Sequence, residues 1–304
     1  MRFRLPAKGP FSLSAAISFL RGFAPAAFDS RTDERLTLAL PAEDGWVPTA
    51  VDVHATDGGV DVEVVGPFRE GLPEQVARML SLDVDGGEFL AVGERDPVIR
   101  KLQSRYAGLR PVCYPSAYEA AAWGVISHRI RIVQAAQLKR RLALALGERF
   151  LVRGTWFTAF PTPDRLASLS SFPGLNETKI ARLHVVARAA ADGLLQGARL
   201  RQLPSDFALQ QLMQLPGVGP FTAELILLRG AGAPDVLPTA ENRLRRAVER
   251  AYGPGTRLED VGSGWAPFRS WCSVLLRAWL EDETHEISGG RHGTGCGLTE
   301  MSGQ

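Results

Sequence analysis

The segment Leu215-Pro216-Gly217-Val218-Gly219-Pro220-Phe221-Thr222-Ala223 joins two stretches of helical periodicity, 205–214 with Ser205 as its N-cap and 220–229. Gly217 and Gly219 carry no Cβ, so the backbone amides of this hairpin can approach a ligand closely. Those amides sit at the start of the second helix, where unpaired N–H groups and the helix dipole favour an anion. A DNA phosphate fits that description, with a monovalent cation sharing the hairpin carbonyls. The competing reading is a tight turn that needs glycine for steric reasons alone. A hairpin of this kind indicates DNA binding and leaves the chemistry open.

Outward from the hairpin, helical patterns recur between Pro and Gly punctuation at 116–126, 129–146, 163–170, 177–192, 240–252 and 266–281. Strand signals nearly vanish after Tyr118, so 113–287 reads as all-helical. Upstream the texture is mixed. Residues 11–21 look helical, as do 73–82 with Pro73 at a first helical position, while Leu36, Leu38 and Leu40 alternate, as do Val60, Val62 and Val64. Asp57-Gly58-Gly59 is a hairpin turn signal. Residues 1–112 are therefore expected to form an α+β domain, a small antiparallel sheet with helices, closing near the loop 108–115. Residues 288–304, rich in Gly, Ser and Thr, read as a flexible tail.

The 304 residues are 45% hydrophobic and 22% charged, an ordinary globular composition that excludes disorder throughout, collagen and a coiled coil. With 35 Lys+Arg against 33 Asp+Glu, any nucleic-acid site must come from local arrangement rather than bulk charge. Cys113, Cys272 and Cys296 are scattered, which argues against a disulfide scaffold, a zinc ribbon or a four-cysteine iron–sulfur cluster, and fits a reducing, cytoplasmic location. No apolar run approaches the roughly 20 residues of a membrane helix.

The chain resembles the helix-hairpin-helix DNA glycosylases, and within them the 3-methyladenine DNA glycosylase II branch. The likeness rests on five segments in order. Besides the hairpin itself these are Phe160–Ala167, Asp235-Val236-Leu237-Pro238-Thr239-Ala240-Glu241, its continuation Leu244–Ala247, and Trp265-Ala266-Pro267-Phe268-Arg269-Ser270-Trp271. The first hundred residues are similar to that branch's N-terminal domain. The resemblance implies a DNA glycosylase domain after the α+β unit. It also implies hydrolysis of the N-glycosidic bond of an alkylated purine in double-stranded DNA, by a monomer and without a cofactor. Such a base is flipped from the stack into a pocket. A cationic base needs an aromatic-lined pocket, and the sugar needs one carboxylate to stabilise oxocarbenium-like charge.

Carried over position by position, the catalytic Asp of the family falls on Glu241, one methylene longer, in the first turn of helix 240–252, with Ala240 before it. An acid complementing a helix N-terminus is the alternative. Phe221 falls on a pocket Trp and Phe19 on a pocket-edge Phe, either of which could be plain core. Trp123 is assigned to the same base pocket. The other pocket Trp falls on Arg277; Trp279 lies about 200° around the helix from it and is no easy substitute.

Leu215, Gly217, Val218, Gly219 and Thr222 are the hairpin's DNA contacts. His128 and Arg129 stand where the family places the wedge that fills the gap left by the flipped base, or form a solvated basic face. Arg245, among Arg243, Arg246 and Arg250, offers positive charge to the backbone. His128 has no metal partner at helical spacing, so no metal site is expected. The Lys that lets some members cut the strand would stand at Phe221, which points to a monofunctional enzyme. Two other readings stay open: a lesion- or structure-binding protein without efficient catalysis, and a glycosylase for a different damaged base. A Glu241 carboxylate turned from the cleft, or locked in an internal ion pair, would count against the enzyme.

Overall fold

The computed structural model describes residues 1–22 and 34–286; the expected tail 288–304 lies outside the described residues. Strands β1 (Arg2–Pro6), β2 (Arg35–Ala42), β3 (Val47–Thr56) and β4 (Gly59–Val65) form one antiparallel sheet in the order β1-β4-β3-β2. Gly58, at φ +80°, makes the tight turn between β3 and β4 where the Asp-Gly-Gly signal placed it. The alternating Leu36, Leu40, Val60 and Val62 are fully buried beneath α1 (Leu13–Gly22) and α2 (Leu72–Met79), which contribute Ile17, Leu20, Leu72 and Val76 to the same core.

Helices α3 (Gly86–Arg95) and α4 (Pro97–Arg105) leave this sheet alone. Asp96 caps α4 by accepting from the Val98 and Ile99 amides at 2.9 and 3.1 Å. Their buried Phe89, Val92, Ile99 and Leu102 join a core supplied from the far end of the chain: Leu244, Ala247, Trp265, Trp271 and Leu276.

The axis of the helical region is α5 (Ala117–Ser127), capped by Ser116 and buried at every position from Ala117 to Ile126. Around it lie α6 (Ile132–Leu146), α7 (Pro163–Ala167), α8 (Glu177–Ala191), α9 (Gly197–Gln202), α10 (Ser205–Met213), α11 (Pro220–Leu225), α12 (Asn242–Tyr252), α13 (Leu258–Gly262) and α14 (Arg269–Thr284). After α11 the chain widens into a π-helical turn, Ile226–Gly230. Gly230 is required there: a Cβ would stand 2.7 Å from the Ala117 Cα of α5.

The region is not purely helical. A hairpin of β5 (Arg149–Val152) and β6 (Thr155–Thr158) interrupts it and docks on the sheet, burying Phe150 and Val152 against Ala50. Asp52 beneath it, 1% exposed, accepts from Arg153 Nε at 2.7 Å, Thr37 Oγ1 at 2.8 Å and Arg35 Nη1 at 3.1 Å. Several helix starts also differ from the sequence expectation: α6 begins at Ile132 rather than 129, α12 at Asn242 rather than 240 and α14 at Arg269 rather than 266, and Pro204, not Ser205, is the N-cap of α10.

Candidate active-site cleft

A cleft of about 790 Å³ opens between α1, α5, α11 with its π-helical turn, the 238–243 segment and α14. It brings together Phe19, Trp123, Phe221, Glu241 and Arg277, residues drawn from five separate parts of the sequence. Trp123 is 5% exposed on α5, a wall set by the core. Phe221 is 51% exposed, so its ring is free to take a stacking partner. Phe19 is half-buried, and the buried Arg229 guanidinium sits 5.0 Å from its ring centroid. Trp279 packs against the core of α4, α12 and α14 and is not among the residues lining the cleft.

Glu241 is the N-cap of α12 rather than a first-turn residue, with β-region φ −91° and ψ 100°, and its side chain caps no amide of its own helix. The carboxylate faces the cleft and is not free as expected. Its Oε1 accepts from Arg277 Nε at 2.5 Å, with side chains 24% and 19% exposed. Arg277 thus stands in the cleft as a counter-ion. The pair is part-buried, so solvent screens it less than a surface ion pair; it engages Oε1 of the carboxylate, the internal pairing that counts against the enzyme. Among the described residues, Glu241 Oε2 has no hydrogen-bond partner.

Sequence reasoning missed a second acid, Glu224 on α11. It is 6% exposed and accepts from Thr239 Oγ1 at 3.0 Å and the Ala240 amide at 3.0 and 3.2 Å. Glu224 therefore holds the loop that presents Glu241. Burial pushes its carboxyl above the usual range; the Ala240 and Thr239 hydrogen bonds oppose this, and Glu241 adds to it. The available signal was a single acid in an otherwise uncharged, largely apolar turn of helix. Arg229, donating to the Val112 carbonyl through Nε at 2.9 Å, was missed because its buried partners come from distant segments.

The hairpin lies beside this cleft. Gly217 has φ +91°, and a Cβ there would meet Arg182 Cδ at 2.6 Å, so its conformation and its neighbour both demand glycine. Gly219 has an ordinary φ of −94° and nothing within 4 Å of a would-be Cβ, so it opens onto free space. The turn is closed by the Val218 amide donating to the Leu215 carbonyl at 2.9 Å. Half-buried Thr222 turns its Cγ2 methyl towards Gly124 of α5.

Arg182, a further residue not foreseen, has no hydrogen-bond partner among the described residues. It lies near His128, whose imidazole is held below its ordinary pKa by desolvation and by the charges of Arg129, Arg182 and Lys179. Arg129, exposed and at φ +57°, and His128 thus form a basic corner with Arg182 next to the hairpin.

The basic run on α12 does not project as expected. Arg245 donates to the Thr239 carbonyl at 2.8 and 3.1 Å and to Glu259 at 2.7 Å, while Glu286 takes Arg246 at 2.6 Å and lies 3.8 Å from Arg243. Arg245 is therefore a strut of the site loop, and local acids pair Arg243, Arg245 and Arg246, while exposed Arg250 has no ion pair among the described residues. No helix among the described residues is long and apolar enough to cross a membrane.

No family model matches the chain. A probable bifunctional transcriptional activator/DNA repair enzyme AlkA of Mycobacterium tuberculosis is 28% identical over 292 residues, covering 93% of this chain and 58% of that protein, so the chain spans less than three fifths of its length. A DNA-3-methyladenine glycosylase of Bacillus subtilis is 27% identical over 217 residues, covering 68% of this chain and 72% of that one. Among solved structures, a 3-methyladenine DNA-glycosylase from Archaeoglobus fulgidus superposes with a TM-score of 0.74 at 20% identity, over 93% of this chain and 99% of that one. The chain has homologues named DNA-3-methyladenine glycosylase and carries the helix-hairpin-helix glycosylase fold.

Proposed function

We propose that this chain is a DNA glycosylase that turns a damaged base, an alkylated purine, out of double-stranded DNA into the cleft and hydrolyses its N-glycosidic bond. The observation that carries this reading is the convergence of Glu241, Trp123 and Phe221 on one cleft beside a glycine hairpin with an open face. The hairpin amides and Arg182 take phosphates, fixing the duplex without reading its sequence. His128 and Arg129 face the gap left in the stack. The flipped base stacks on Phe221 and Trp123.

The glycosidic bond pair leaves with the base, charge develops on the sugar, and Glu241 stabilises it. Water then adds at C1′ and loses its proton through Glu241 to solvent. Among the described residues no lysine lines the cleft, and Phe221 stands where an amine would attack the sugar, so the product is an intact strand with an abasic site. The protein acts as a monomer without a cofactor. A monovalent cation would sit on the hairpin carbonyls, of which Leu215 O already takes one N–H, and would add charge towards the phosphate.

The test is release of free base, followed by chromatography, from duplexes carrying methylated purines and 1,N6-ethenoadenine, with strand breaks appearing only after alkali. Breaks without alkali would refute the monofunctional step. A second reading, a lesion-binding protein without efficient catalysis, is favoured by the Glu241–Arg277 pair. Retained duplex binding with no release from any substrate would establish it in place of the enzyme.

A further inference from the structure

Helix α5 ends without the usual devices of a helix C-terminus. Its last turn carries no basic residue, and its C-cap, His128, has φ −57° and ψ 122° rather than a left-handed conformation. The turn that follows is held loosely. The Ile130 amide donates to the Ser127 carbonyl at 3.3 Å, and Arg129 sits at φ +57°, a conformation costly for a residue with a Cβ. The cap comes from another helix. Lys179 Nζ, on α8, donates to the buried Ile126 carbonyl at 2.7 Å and sets its positive charge at the negative end of the α5 dipole.

Packing alone does not call for a lysine at this place. Lys179 is 9% exposed, and among the described residues no acid lies within ion-pair distance of it. Burial and the charge of Arg182 hold its ammonium below its ordinary pKa. A buried cation facing only a carbonyl is costly, and an apolar side chain of the same length would fill the space without that cost. The Lys179 backbone is fixed in turn: the Asn176 side chain, capping α8, accepts from its amide at 2.9 Å. One turn further along, α8 carries Arg182 against Gly217 of the hairpin. The Lys179 bond therefore ties the turn bearing His128 and Arg129 to the helix whose Arg182 stands beside the hairpin.

Resting on the glycosylase reading, we propose that Lys179 is a positioning residue: by capping α5 from α8 it aims His128 and Arg129 at the gap in the base stack, and it contacts no DNA itself.

The experiment measures binding of the full chain to two duplexes of one sequence, intact or carrying a tetrahydrofuran abasic analogue, at several salt concentrations. Thermal unfolding and base release from an alkylated duplex are recorded in parallel. Wild type is expected to favour the abasic duplex. Lys179→Met, similar in volume but without a donor, is expected to lower that preference at least about fivefold, with affinity for intact duplex and its salt dependence unchanged. Combined with Arg129→Ala, it lowers the preference no further than Arg129→Ala alone, because both remove the same contact. Lys179→Arg, which keeps a charged donor for the carbonyl, retains the preference. Should the Met variant not fold, Lys179→Gln, whose amide ends about one bond short of the carbonyl, takes its place with the same expected loss.

An unchanged preference in Lys179→Met, additive losses in the double variant, or a preference in Lys179→Arg as low as in Lys179→Met overturns the inference. So does an equal loss on both duplexes: with the slope of log affinity against log salt reduced by about 1 it would make Lys179 a phosphate contact, and with the slope unchanged a merely structural residue. These outcomes leave base release by the wild type, and the glycosylase reading, standing. A wild type that binds both duplexes alike also overturns the inference, and if it releases no base from any substrate the glycosylase reading falls with it.

Discussion

Replacing Glu241 by Gln removes one negative charge and little else. The Gln carbonyl oxygen can still accept from Arg277 Nε, which the carboxylate does at 2.5 Å. The pair is part-buried and Gln turns a charge-assisted hydrogen bond into a neutral one, so folding stability should fall by about 1–2 kcal/mol. The reaction should change far more. A carboxylate about 4 Å from a sugar centre acquiring a full positive charge is worth roughly 4 kcal/mol at an effective dielectric near 20. Arg277, bound to the same carboxylate, offsets part of that field, leaving about 2–4 kcal/mol, or a fall of roughly 30- to 1000-fold in single-turnover base release.

The assay is release from an alkylated duplex the wild type processes, at saturating protein, with thermal unfolding of both proteins recorded in parallel. A Glu241→Gln rate within threefold of wild type would refute the assignment of this carboxylate to the chemistry.

Arg182→Ala should weaken duplex binding for damaged and undamaged DNA alike and reduce the slope of log affinity against log salt by about 1, read from a fluorescence titration at several salt concentrations. Gly124→Ala sets a Cβ 2.3 Å from Thr222 Cγ2 and should cost about 1–3 kcal/mol of stability. Thr222→Ser deletes that methyl and should restore much of the loss in the double variant, which denaturant titration of the four proteins will show.

Asp52→Ala leaves Arg35 and Arg153 without their shared acceptor and should destabilise by about 2 kcal/mol, below the 3–5 typical of buried pairs because both arginines reach solvent. Burial alone would raise the Asp52 pKa, but the Arg153 and Thr37 hydrogen bonds and the charges of Arg153 and Arg35 hold it below the ordinary 3.8. Its contribution is therefore complete above that value and lost as pH falls through the lower folded value, so the acid arm of the wild-type stability curve should flatten in Asp52→Ala.

The stretches 177–192 and 205–214 were legible because each buries a stripe against neighbours that any helical packing would supply, and 116–126 because it is apolar on every face, as a central helix must be. Helices α3 and α4 were not. Asp85-Gly86-Gly87 reads as a loop, and the apolar residues that follow find partners only near 244–276. Strands β5 and β6, four residues each between helices, are too short for alternation to stand out. At the site, the family register placed Glu241 in the cleft but could not show its counter-ion, which depends on the rotational phase of α14 36 residues away. Arg245 looked free for DNA because its acceptors, the Thr239 carbonyl and Glu259, are set by the loop's path rather than by residue type.

The core beneath α3 and α4 closes only when the chain near residue 280 arrives. Trp265 Nε1 donates to Asp96 at 3.1 Å across 169 residues, Tyr106 meets Asp282 at 2.6 Å, and Arg105 meets Glu283 at 2.9 Å. During synthesis on the ribosome, Phe89, Val92 and Ile99 are therefore made early and wait uncovered while some 170 further residues are translated, roughly 10–30 s at ordinary elongation speeds. The chain must carry this apolar surface through that interval, which makes the 86–105 segment its natural point of contact with chaperones.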